Sequence, residues 1–159
     1  MVEIGFCAGV IGSIAETVFT TIVRALHVSP VNREMAIGYF LTHSIGVLGW
    51  CVGFLVHVVV GGLLGWLYVF GFIKLIKSDW VTGTIYGFCI WFVTGLLVVS
   101  MIPGVDFVVP QQSRVVDPLW INYGLNTVYA IGASHILFGG VLGGVFQIAC
   151  KKRFGDCDQ

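Results

Sequence analysis

The sequence predicts an all-α membrane protein with four transmembrane helices. They form two tandem hairpins related by pseudo-two-fold symmetry along the membrane normal. Three observations predict this. First, the 159 residues are 57% hydrophobic and only 10% charged, with a mean hydropathy of +0.97. Ordinary soluble domains carry about 25% charged residues, and a chain this short cannot hide so much apolar surface in one core. Second, the apolar residues gather into four segments, each close to the ~20 residues needed to cross a bilayer. Third, two of those segments carry the same pattern, H-x-x-x-G-G-x-L-G. It runs from His57 to Gly65 with Tyr68 three residues on, and from His135 to Gly143 with Phe146 three residues on.

The first predicted helix covers residues 4–26. Its leading Met1-Val2-Glu3 has no Lys or Arg, whereas a secretory signal needs a positive start and a small-residue cleavage site. The segment is therefore expected to be retained. Residues 27–46 open with Ser29-Pro30, Asn32, Arg33 and Glu34. The semi-apolar stretch from Met35 to Ile45 reads as an interfacial helix, with His43 at headgroup level. The second helix covers 47–75, and the turn Lys77-Ser78-Asp79-Trp80 follows it, with Trp80 as an interface anchor. The third covers 81–102 and stops at Pro103-Gly104. The outer loop, 103–126, holds Pro110, Pro118, Asp106, Arg114, Asp117 and Trp120. Loops of this kind meet partners, here other membrane subunits. The fourth helix covers 127–150 and ends on Lys151-Lys152-Arg153.

The repeat makes one integral membrane domain over 1–159, with repeat one at about 4–77 and repeat two at about 81–153. A weaker match, Gly5-Phe6-Cys7 with Gly87-Phe88-Cys89, extends it and pairs Glu16 with Val98. Two spans per repeat return the chain to its starting side, so the copies are parallel. Lys74, Lys77, Lys151, Lys152 and Arg153 fall at one end of the helices, and Arg24, Arg33 and Arg114 at the other. Basic residues favour the cytoplasm, which puts both termini there. Net charge is zero, so nothing points to nucleic acid. The five cysteines lack C-x-x-C spacing and are expected to be buried, inert thiols.

An ionisable residue inside a membrane is costly and needs a partner. Glu16, His57 and His135 each lie eight to ten residues in from the outer ends of their helices, so they are expected at one depth. A hydrogen bond from one histidine is the cheapest accommodation for Glu16. It would make Glu16 a proton relay, an orienting partner for a ligand histidine, or a polar clip between helices. His57 and His135 on facing helices could ligate a haem b iron axially. Gly61 and Gly139, one turn beyond them, would then leave room for the macrocycle. The same glycines fit a different reading. Gly49, Gly53, His57, Gly61 and Gly65 repeat every four residues and form a ridge for close helix packing. On that reading the helices carrying the two motifs approach each other near Gly61 and Gly139. No metal site is assigned: H-E-x-x-H is absent, and only one carboxylate is expected in the core.

Val56-His57 to Gly65, Ser134-His135 to Gly143 and Met101-Ile102-Pro103-Gly104 resemble uncharacterised prokaryotic families of small four-helix integral membrane proteins with this duplicated hairpin. The resemblance covers most of the membrane part but not residues 105–126. It implies a location in the prokaryotic cytoplasmic (inner) membrane and no activity. P-loop, G-x-S-x-G and Rossmann patterns are all missing. The expected function is that of a non-enzymatic small integral membrane protein, an accessory subunit of a larger complex. The alternatives are a b-type haem electron-transfer protein ligated by His57 and His135, and a small proton or ion transporter using Glu16 with the histidines.

Overall fold

The computed structural model describes residues 1–72, 78–98 and 118–155, and every regular element among them is helical. The elements are α1 (Val2–Ala25), α2 (Arg33–Thr42), α3 (Val47–Leu67), α4 (Trp80–Val93) and α5 (Leu125–Phe154). π-helical turns continue α3 at Tyr68–Phe72 and α4 at Thr94–Val98, and a 3-10 helix at Pro118–Tyr123 precedes α5. Among the described residues, three helices are long and apolar enough to cross a membrane: Val2–Ala25, Val47–Gly71 and Leu125–Phe154. The apolar stretch Trp80–Leu96 is shorter. Lys74, Lys77, Cys157 and most of the outer loop lie outside the described residues.

Local chemistry sets the helix ends. α1 closes in a Schellman arrangement, in which His27 takes a left-handed conformation (φ 57°). Its N–H donates to the Arg24 carbonyl at 2.9 Å and the Val28 N–H to Val23 at 3.1 Å, which satisfies carbonyls the helix leaves open. Asn32 caps α2 by accepting from the Met35 N–H at 3.1 Å, and His43 ends it, also left-handed. α2 therefore begins before Met35. It also differs from an interfacial helix, because it buries Glu34, Ala36 and Gly38.

The chain forms two compact units. The first draws on Met1–Glu16, Val58–Ile90 and Ser134–Gln159. Its helices meet backbone to backbone at glycines. A Cβ on Gly9 would strike the Gly61 carbonyl, and one on Gly65 would strike the Gly5 carbonyl. On the other pair, a Cβ on Gly83 would strike the Gly139 carbonyl, and one on Gly143 the Asp79 carbonyl. The seams thus join α1 to α3 and α4 to α5. The expectation of a close approach between α3 and α5 at Gly61 and Gly139 is corrected: Gly61 is taken up by α1 and Gly139 by α4. Tyr68, Tyr86, Phe138, Leu142, Phe146 and Cys150 fill the remaining core. Tyr86 donates its hydroxyl to the Leu64 carbonyl at 2.8 Å, just before α3 changes to π spacing. Asp79 caps α4 by accepting from the Thr82 N–H at 2.7 Å, and this bond holds its carboxyl below the usual range. Glu3, at the start of α1, lies 3.7 Å from Arg153, at the end of α5.

The second unit draws on Thr17–His57 and Trp91–Ala133. Here α2 folds back along α3. A Cβ on Gly53 would strike the Glu34 carbonyl, and one on Gly38 the Gly49 carbonyl. Val31, Trp120 and Ile131 form its core, with Trp91 and Tyr123 packed on them. Trp120, placed by the sequence in the outer loop, is thus a core residue, whereas Trp80 is 65% exposed. The cysteines also depart from expectation: Cys7, Cys51 and Cys89 face outward, and Cys150 is buried. Their small apolar side chains suit a lipid-facing surface as well as a core, so sequence could not assign the face.

Candidate functional site: a buried carboxylate, hydroxyl and imidazole

Gly12 positions the site. A Cβ there would lie 2.9 Å from the Phe138 carbonyl oxygen, so its absence lets α1 press against α5. The helices run antiparallel at this contact. One turn further along α1 and one turn back along α5, Glu16 meets Ser134 and His135. Glu16 is 3% exposed, Ser134 is fully buried and His135 is 8% exposed. Ser134 Oγ donates to Glu16 Oε1 at 3.0 Å, and His135 Nδ1 lies 3.3 Å from the same oxygen. Ser134 Oγ and His135 Nδ1 are 3.4 Å apart. On its other side His135 is held by α4, since a Cβ on Gly87 would strike the His135 carbonyl.

One carboxylate oxygen thus accepts from a hydroxyl and stands beside an imidazole nitrogen, which is how a buried acid is accommodated. The arrangement is not that of a nucleophilic serine. In a catalytic triad the serine gives its proton to the imidazole nitrogen opposite the carboxylate. Here Ser134 stands on the Nδ1 side and donates to the carboxylate. The chemistry this geometry offers is the holding of a proton among Glu16, Ser134 and His135.

His57 is buried in the second unit. Along α3 it stands between Gly53, which faces α2, and Gly61, which faces α1. The space beside Gly61 is occupied by Ser13 Oγ, which also donates to the Gly9 carbonyl at 3.0 Å. The space beside Gly139 is occupied by the Gly83 carbonyl and the Gly87 backbone. His27 and His43 end α1 and α2 in left-handed conformations.

The second unit contains a carboxylate that sequence reasoning missed. Glu34 is 1% exposed and accepts from Thr17 Oγ1 at 3.0 Å, and the Arg33 guanidinium lies 3.5 Å from the same oxygen. This corrects the expectation of a single carboxylate in the core. A signal was present: Asn32 before Arg33-Glu34 reads as a helix cap, and Gly38, four residues past Glu34, allows close packing. Among the described residues no group of three or more His, Cys, Asp and Glu side chains could hold a metal ion.

No family model matches the chain, and no curated protein or solved structure matches it.

Proposed function

We propose that the chain is a non-enzymatic integral membrane protein of the prokaryotic cytoplasmic membrane, an accessory subunit with four spans and both termini cytoplasmic. The glycine seams carry this reading. α1 against α3 and α4 against α5 meet through their own backbones, so the chain spends its interior on holding helices together. The outward faces fit lipid. α4 turns Val81, Ile85, Phe88 and Phe92 outward and Thr82, Gly83, Tyr86 and Gly87 inward. This pattern supports a fourth span despite the short described length. The pairing of Glu3 with Arg153 supports termini on one side.

The tandem hairpins gain support from contact register. Gly9 stands to Gly61 and Gly65 as Gly83 stands to Gly139 and Gly143. In this register Glu16 corresponds to Ile90, seven residues beyond each glycine, and not to Val98. The Gly5-Phe6-Cys7 match with Gly87-Phe88-Cys89 falls away, because Gly5 meets Gly65 and Val69 whereas Gly87 meets His135 and Gly139. Backbone and Ser13 fill the space beside Gly61 and Gly139, so the haem b alternative draws on His57 and His135 alone. The transporter alternative draws on the Glu16–His135 pair and the second buried carboxylate, Glu34.

Topology reporters test the four-span reading. Fusions at the C-terminus and between residues 73 and 77 are expected to be active in the cytoplasm, and insertions between 105 and 115 in the periplasm. A C-terminus reporting from the periplasm would refute it.

A further inference from the structure

We propose that Glu16, Ser134 and His135 form a binding site for a single exchangeable proton, shared between Glu16 Oε1 and His135 Nδ1. Its occupancy sets how firmly α5 is held to α1. The site goes beyond the role of a structural bundle and does not depend on the number of spans.

The argument starts from charge. Glu16 and His135 are both buried, and Nδ1 lies 3.3 Å from Oε1. With one proton the pair is neutral overall, whether the proton sits on nitrogen or on oxygen. Loss of that proton leaves a net negative charge, and gain of a second leaves a net positive one. Either state is costly in an apolar interior. One-proton occupancy is therefore the state the surroundings select, and the two groups titrate as one system. Ser134 favours the carboxylate form of Glu16, because its hydroxyl donates to Oε1 at 3.0 Å, and it lies 3.4 Å from Nδ1. The proton comes from water and returns to it, with no other reactant.

α5 presents Ser134 and His135 to Glu16. α4 meets the His135 backbone through Gly87, and α3 meets α1 through Gly61 against Ser13. Tyr86, on α4, gives its hydroxyl to Leu64. The same carboxylate–imidazole contact also bridges α1 and α5, helices distant in sequence, so a change in proton number acts directly on their hold.

Infrared and NMR titration of the full-length protein in lipid nanodiscs tests this, with Glu carbon-13 labelled and His nitrogen-15 labelled. The Glu16 carboxyl band is assigned by its loss in E16Q, and the His135 imidazole signal by its loss in H135Q. The wild-type band and imidazole signal are expected to change together, with a common midpoint. In E16Q the His135 midpoint is expected to move by at least about one pH unit, and S134A should move it less. The thermal midpoint of the wild type should change across the same pH interval, and that of E16Q should stay flat there. Independent midpoints for the two groups, or no change in either, would overturn the proposal. So would an unchanged His135 titration in E16Q. If E16Q does not fold, E16D, which also removes the labelled Glu16 carboxyl, carries the assignment, and the common or separate midpoints of the wild type decide the question.

Discussion

Two hydrogen bonds outside the Glu16 cluster have measurable weight at the scale of single residues. Thr17 Oγ1 donates to the buried Glu34 carboxylate. Thr17→Val keeps the shape and removes the donor, leaving a buried acceptor short of a partner, which costs about 1–3 kcal/mol. Thr17→Ser should restore most of this. Unfolding in mixed micelles at rising SDS would measure both. Asp79 is the second case. Its carboxyl is held below the usual range by the Thr82 N–H, so its folded value lies under the ~3.9 of an unfolded aspartate. The stabilisation is complete above that value and is lost as pH falls through the lower folded one. Asp79→Ala should cost about 1 kcal/mol, as for other caps. The difference from wild type should persist at neutral pH and shrink as acid takes the protein below the ~3.9 of an unfolded aspartate, as read by the same assay.

The glycine seams decide stability at the scale of helices. Gly61 has no space for a side chain, because Ser13 Oγ occupies the place of its Cβ. Gly61→Leu should destabilise the fold by overpacking, roughly 1–3 kcal/mol or more. Gly144 lies in the same glycine-rich run as Gly139 and Gly143, but its Cβ would sit 3.8 Å from Trp80 Cβ, an ordinary contact. Gly144→Ala should be neutral or stabilising, by up to about 1 kcal/mol of helix propensity. Thermal midpoints of the two variants in detergent would separate them, and equal losses would contradict the assignment of seam faces. The spacing Gly49, Gly53, Gly61, Gly65 announced a packing ridge on α3 without naming its partners. α2 takes the first two glycines and α1 the last two, because a ridge of small residues accepts any backbone that reaches it. Helix periodicity says nothing about which one will.

At the scale of the molecule, the spectrum of the purified protein separates the readings. Packing histidines predict a colourless protein even from a haem-sufficient host. A Soret band abolished by either His57→Ala or His135→Ala would replace the structural reading with the electron-transfer one. Composition and span length determined that the chain is helical and suited to a bilayer, since apolar surface on this scale has no other solvent. The cost of charge in hydrocarbon also marked Glu16 and His135 as residues needing partners. Tertiary structure decided which partners they have. Ser134 gave no sign of its role, and Glu34, in a segment that read as interfacial, is buried because Gly38 and Gly53 let α2 fold onto α3. A sequence records the need to satisfy a buried polar group. Which distant side chain satisfies it depends on how closely the helices approach and at what register, and these are set only when the whole chain packs.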